Sequence, residues 1–226
     1  MGNDILPGHQ YSDGEFVSGP SLTDHVGEAT IKPSFFSSKT AKDPAVLTDE
    51  FLIRDTVADS YRRVSLATLQ GLMVGPGGVI QTSYGEYTAN TNLMATIPVD
   101  DTIPQNTEGT EILAVAITPK FSSSRILARF QAQYSNTPAP STALVALFRD
   151  ANANALASQI STMGTASFQL NLALEYMDSP STTSAITYRI RIGPGAGAIM
   201  RLNGNPGQRY MGGSSRATLT LQEIKS

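Results

Sequence analysis

Residues 125–134 read RILARFQAQY, and this stretch decides the fold. Ile126, Ala128, Phe130, Ala132 and Tyr134 fall on one side of a period of two, while Arg125, Arg129, Gln131 and Gln133 fall on the other. Successive side chains of an extended chain point to opposite faces, so the pattern predicts a strand with one face in a core and one in water. Two more stretches repeat it. Phe168, Leu170, Leu172, Leu174 and Tyr176 alternate with Gln169, Asn171 and Glu175, and Ile186, Tyr188, Ile190 and Ile192 alternate with Thr187, Arg189 and Arg191. Residues 111–118 and 143–148 are apolar on both faces, which predicts central strands covered twice or a surface between subunits.

Turn signals separate these runs at Asp100-Asp101, Asn136 to Pro140, Asp150 to Asn154, Asp178 to Pro180, Asn203 to Gly207 and Gly212-Gly213. Short strands at this spacing, with no helical period between them, predict an all-β domain over residues 76–226, a jelly-roll-like β-sandwich. Gly75-Pro76-Gly77-Gly78 breaks both periods and marks its start.

Upstream, residues 47–75 predict a small hairpin and helix. Phe51 to Ile53 and Tyr61 to Val64 form the strands, Ser65 suits a helix N-cap, and Leu66, Leu69 and Met73 share one helical face. A unit this small needs a neighbour, and another copy of itself would serve. In residues 1–46 the apolar side chains are isolated among Gly, Pro, Ser, Asp and Lys, so this segment is expected to be disordered alone or extended against a partner. Phe35-Phe36 is the candidate anchor within it.

Composition narrows the chemistry. Among 226 residues there is no Cys and no Trp, and His occurs twice, at His9 and His25. Disulfides, thiolate metal sites and a thiol nucleophile are excluded, and a Ser-His-Asp triad would need a histidine outside the irregular N-terminal segment. The net charge of −3 carries no basic cluster, which argues against nucleic acid. No apolar run approaches the roughly 18 residues of a membrane span, and no leader pattern opens the chain, so a soluble protein without membrane insertion is expected. Charged residues make up 15%, whereas Ser and Thr number 46, so hydroxyls and amides must build much of the surface.

The remaining candidates have plain structural readings beside their functional ones. Paired acids can cleave glycosides, but most acids here sit at turns, where Asp chiefly bonds its own backbone. Asp100, Asp101, Glu108 and Glu111 offer oxygens to a calcium ion without the spaced EF-hand pattern. Gly193 to Gly197 lacks the Lys-Ser/Thr and helix of a phosphate loop. Arg189 and Arg191 share one strand face as a solvated face, an ion-pair rail or a surface for acidic sugars. Tyr84, Tyr87 and Tyr210 are the best loop-side aromatics for stacking on sugars. No catalytic residue, metal site or cofactor is expected.

Residues 97–130, IPVDDTIPQNTEGTEILAVAITPKFSSSRILARF, closely resemble the opening of a β domain of structural proteins from tailed bacteriophages, marked by an I-P-x-D-D-T-I-P-Q-x-T-E-G block. ALFRDANANALA (146–157), TYRIRIGP (187–194) and RATLTLQEI (216–224) resemble its later strands, and residues 47–73 resemble adaptor-like segments of phage fibres. The resemblance implies a homotrimeric fibre or spike on the virion surface, on head or tail. Residues 1–46 would dock on capsid or tail proteins, 47–75 would form a trimeric neck, and 76–226 a head that contributes to host attachment through a surface glycan or protein. It does not imply an enzyme. A capsid decoration protein and a polysaccharide-degrading tailspike are the alternatives. For attachment, the candidate loops are 136–140, 178–183 and 203–210, with Asn136, Asp178, Asn203 and Tyr210 as receptor-facing residues.

Overall fold

The computed structural model describes residues 10–12, 15–18, 50–55, 60–65, 68–69, 73–165, 168–205 and 207–226. The chain divides into two units, Met1–Met73 and Val74–Ser226. In the first unit, β1 (Gln10–Ser12) pairs antiparallel with β2 (Glu15–Ser18), a hairpin that the sequence did not announce. The expected second hairpin is present as β3 (Glu50–Asp55) and β4 (Ser60–Ser65), with Phe51 opposite Val64 and Asp55 opposite Ser60. Thr68, Leu69 and Met73 are helical. Leu66, Phe35, Phe36, His9 and His25 lie outside the described residues.

The second unit holds β5 (Val79–Tyr87), β6 (Thr91–Leu93), β7 (Thr110–Ile117), β8 (Arg125–Thr137), β9 (Ser141–Arg149), β10 (Ala157–Met163), β11 (Leu170–Asp178), β12 (Ile186–Pro194), β13 (Ile199–Leu202), β14 (Gly204–Asn205), β15 (Gln208–Arg209) and β16 (Ala217–Ile224). One sheet has the order β10-β9-β12-β7. The other runs β5-β16-β8, with β11 on the opposite edge of β8 and β13-β6 continuing beyond β16 along its last residues. Counting the eight long strands in chain order, the sheets read 1-8-3-6 and 2-7-4-5. That alternation is the two-sheet jelly roll.

Period two in β8 does what it predicts. Ile126, Ala128, Phe130, Ala132 and Tyr134 are buried against Val115, Val145, Leu147, Tyr188 and Ile190 of the facing sheet, while Arg129 and Gln131 are exposed. Each such large apolar side chain contributes about 1.5–3 kcal/mol by leaving water.

The two strands apolar on both faces have different fates. β9 is covered twice: Ala143, Val145 and Leu147 face the main core, while Leu144, Ala146 and Phe148 form a second cluster with Ile97. β7 is an edge strand whose Ala114 and Ala116 are exposed, so of the two expected readings, a strand covered twice or a surface between subunits, it is not the first. Alanine is small enough to face water at little cost. Phe168 also departs from its expected place, since β11 begins at Leu170 and leaves Phe168 63% exposed.

Pairing sorts the loops into two ends. Ile224 lies opposite both Val79 and Arg125, and Asp178 opposite Ile126. The start and finish of the domain therefore share one end with the β7–β8, β9–β10 and β11–β12 connections. Gly77 N–H donates to Lys225 O at 2.7 Å, and Lys225 N–H to Gly78 O at 3.0 Å, tying the two termini of the domain together. The opposite end carries the β8–β9 and β10–β11 connections and the long run from β12 to β16, as the pairing of Ile199 with Thr137 requires.

Candidate functional site

Ile97 to Gly109, the block that carries the family resemblance, forms a loop over the outer face of β9. Its ends meet where Gly109 N–H donates to Thr96 O at 2.9 Å, the closed form of an Ω-loop. Ile97, 1% exposed, fixes one end in the cluster with Leu144, Ala146 and Phe148. The tip is held by backbone and amide bonds. Asn106 N–H donates to Ala153 O, its Nδ2 donates to the carbonyls of Ala151 and Asn152, and Gln105 Nε2 donates to Asn154 Oδ1. Gly109 sits at φ +61°, and a Cβ there would come within 2.8 Å of Ile97 Cγ1, so the turn requires glycine.

Three of the four acids weighed for calcium, Asp100, Glu108 and Glu111, are engaged within the fold. Asp100 Oδ1 accepts from the Thr102 N–H at 2.9 Å and hydroxyl at 2.6 Å, and these bonds hold its carboxyl below the usual range. Glu108 accepts from the Gln105 N–H at 2.9 Å. Glu111 pairs with Arg189 at 2.9 Å and Arg191 at 3.7 Å. Among the described residues no three His, Cys, Asp or Glu side chains group as metal ligands. Arg191 also donates to the carbonyls of Glu108 and Gly109, so it clamps the loop's return. The rail of Arg189 and Arg191 is an ion pair with Glu111, and it borders a shallow hollow of about 270 Å³.

The proposed receptor-facing residues need correction. Asn136, Asp178 and Asn203 are 0%, 7% and 1% exposed, so their side chains face inward. Asn136 Nδ2 donates to Thr142 O, and Asn203 Nδ2 to the carbonyls of Tyr87 and Ala89, so both act as backbone staples. Asp178 accepts from Arg149 Nη1 at 2.7 Å, Tyr188 Oη at 2.6 Å and the Ser179 N–H at 2.8 Å. Burial and the bond to Asp178 push the Tyr188 phenol pKa up. Tyr210 is half-buried and bonds to Asn205 Nδ2 through its hydroxyl. Nor do the three loops form one surface. Loops 136–140 and 203–210 lie at the free end, and 178–183 lies at the end of the domain termini.

What the free end presents was not read from the sequence. Phe168 and Met211 project there at 63% and 71% exposure, and Met94, just past β6, at 68%. Of the aromatic candidates, Tyr84 is 54% exposed on β5, whereas Tyr87 is half-buried with its hydroxyl 2.6 Å from Thr91 Oγ1. Running up from the free end on the outer face of the larger sheet is a groove of about 550 Å³. Its floor is Gln131, Gln133 and Asn171, and its rim Met211, Ser214 and Arg216. Arg216 pairs with Glu86 at 2.7 Å, and the hydrogen bond from Arg216 lowers the Glu86 pKa. Arg129 pairs with Glu175 at 2.6 Å. The groove is therefore amide-rich, with these charges paired.

No helix among the described residues is long and apolar enough to cross a membrane. No family model and no curated protein matches the sequence. Among solved structures, the chain is similar to the Eiger TNF of S. frugiperda, with TM-score 0.39 and 11% identity over 64% of this chain and 92% of that one. It is also similar to the enzymatically active domain of bacteriophage CBA120 tailspike protein 4, with TM-score 0.23 and 15% identity, over 64% of this chain and 19% of that one.

Proposed function

We propose that this protein is a structural component of a phage particle, a homotrimeric fibre or spike docked through residues 1–46, with the jelly roll as its exposed head. The observation that carries this reading is the placement of the ends of the domain. Val79 and Ile224 pair at one end of the sandwich, so the chain leading in from the N-terminal segment and the C-terminus both leave the other end free. A head attached at one pole presents its far loops outward. Those loops expose Phe168 and Met211.

A binding role fits the acids better than hydrolysis. Glu86, Asp100, Glu108, Glu111, Glu175, Asp178 and Glu223 each hold a hydrogen bond or ion pair within the fold. Host capsule incubated with the protein should keep its polymer length.

Two measurements test the assignment. Light scattering on the full chain should give three times the 24.0 kDa subunit mass, and antibodies to the jelly roll should label particles at fibre or spike tips. A monomer at micromolar concentration would refute the trimer, unlabelled particles would refute the virion role, and label spread evenly over capsid faces would instead assign a decoration protein.

A further inference from the structure

The groove on the outer face of the larger sheet is floored by three strands in register. Thr218 of β16 lies opposite Gln131 of β8, which lies opposite Ala173 of β11, and in the next row Gln133 lies opposite Asn171. Period two turns these side chains outward, because Ala132, Leu172 and Ala217 between them are buried. The floor is about 10 Å wide at the usual strand spacing, and the groove's volume of about 550 Å³ is that of a small-molecule cleft.

Its polar groups are open and uncommitted. Gln131 and Asn171 are exposed, and among the described residues neither side-chain amide has a partner within the fold. Gln133 Oε1 accepts from Ser215 Oγ at 3.2 Å, which orients this third amide and leaves its Nε2 donors unused. Arg216, the cation at the rim, is engaged by Glu86 at 2.7 Å and by Ser214 O at 3.3 Å, so it presents no free charge to the groove.

The rim carries a second, independent observation. Met211 sits at φ +52° and is 71% exposed. A left-handed backbone is costly for a bulky side chain, whereas glycine adopts it freely. Gly212 follows at φ +62°, and Ser214 N–H donates to Met211 O at 3.0 Å, so the turn is fixed with its methionine in place. An exposed side chain gains no core packing to offset that cost, and strain retained in this way points to a function. Here it sets an adaptable apolar thioether beside three amides.

An electroneutral floor offers no counter-charge to a phosphate or a carboxylate, and an open face without deep apolar pockets does not suit the side chains of a peptide. A primary amide carries an acceptor and two donors side by side, the complement of adjacent hydroxyls on a ring. We propose that this groove binds a neutral hexose oligosaccharide. Gln131, Gln133 and Asn171 bond its hydroxyls, Ala173 leaves room for a ring between them, and Met211 covers the carbon face of that ring. The inference deepens the attachment reading, on which it rests for its biology, by naming the class of surface molecule the head takes.

Saturation-transfer NMR on the full chain tests the site, with maltose, cellobiose, lactose and mannobiose as probes and D-glucuronate and triglycine as controls. At least one disaccharide should give a saturable signal, and neither control should. Gln131→Ala combined with Asn171→Ala, at exposed positions where truncation leaves the fold intact, should weaken that binding at least about fivefold, as expected for two lost hydrogen bonds. Met211→Gly relaxes the turn, so it should hold or raise Tm while weakening the same sugar. Gln222→Ala, on the same face of β16 outside the groove, should change nothing. No saturable signal from any of the four disaccharides overturns the site, and binding that survives the double variant overturns its placement. Equal binding of D-glucuronate overturns the neutral class, and binding of triglycine alone overturns the saccharide in favour of a peptide. Each of these failures leaves native mass and particle labelling unchanged, so it is distinguishable from failure of the virion reading.

Discussion

Replacing Asp178 by Ala tests whether this residue serves the fold or a receptor. In the structure the carboxylate is 7% exposed and accepts from the fully buried Tyr188 hydroxyl, the partly exposed Arg149 guanidinium and the Ser179 N–H. Its loss leaves the Tyr188 hydroxyl buried without an acceptor, at about 1–3 kcal/mol. The Arg149 side chain, 26% exposed, can turn to water, so its share is about 1 kcal/mol after screening. The turn bond to Ser179 adds about 0.5–1 kcal/mol. The expected total is about 2.5–5 kcal/mol, or roughly 10 °C in Tm for a domain of this size. Asp178→Asn keeps an acceptor for Tyr188 and should cost about half as much. Tyr188→Phe with Asp178→Ala should be less than additive, since both remove one bond. Thermal unfolding followed by circular dichroism on the full chain measures all three. An Asp178→Ala protein within about 0.5 kcal/mol of wild type that has lost its attachment target would refute the structural role.

Other perturbations separate the remaining elements. Ile97→Ala empties the anchor of the loop over β9 and should cost about 2–4 kcal/mol, with faster proteolysis within residues 97–109; unchanged stability and cleavage would show that the loop is held by its polar tip. Thr102→Val removes the hydroxyl bond that lowers the Asp100 pKa, so carbon-13 titration should show that carboxyl moving up toward its ordinary value. A depressed carboxylate stabilises above its unfolded pKa and loses that contribution as pH falls through the folded one, so the variant should lose part of this acid sensitivity. Glu223, fully buried, accepts from the Lys120 and Phe121 N–H groups and from Gln81 Nε2. Its replacement by Ala leaves the Lys120 and Phe121 N–H groups without this acceptor and should destabilise by about 2–4 kcal/mol, and Glu223→Gln, which keeps one acceptor, by less; equal losses would argue that packing and not hydrogen bonding fixes that turn.

Residues 125–134 show why the fold class was legible. Period two in RILARFQAQY states which side chains face the core, and that is a property of the strand alone. The hairpin of Phe51 and Val64 was legible for the same reason, being closed by a short turn. The loop at Ile97 to Gly109 was recognisable as a distinctive block, yet its role came only with Leu144, Ala146 and Phe148 beneath it. Those partners are more than thirty residues away in sequence, beyond any local period.

Asn136, Asp178 and Asn203 were read as outward because polar residues at turns usually are. Their inward turn depends on carbonyls, a phenol and a guanidinium delivered by other strands, and a polar residue can be buried only where such partners meet it. Phe168 erred the opposite way: the alternation continued into it, but β11 begins two residues later. The sequence by itself determined that residues 76–226 are built of half-buried strands and that the protein is without thiol chemistry. The tertiary structure alone decided which strands are neighbours, which loops share an end, and that Arg201 is buried without a carboxylate partner among the described residues. A strand's own pattern sets its face, but its neighbours come from long-range pairing, and they decide whether a polar group meets water, a partner or neither.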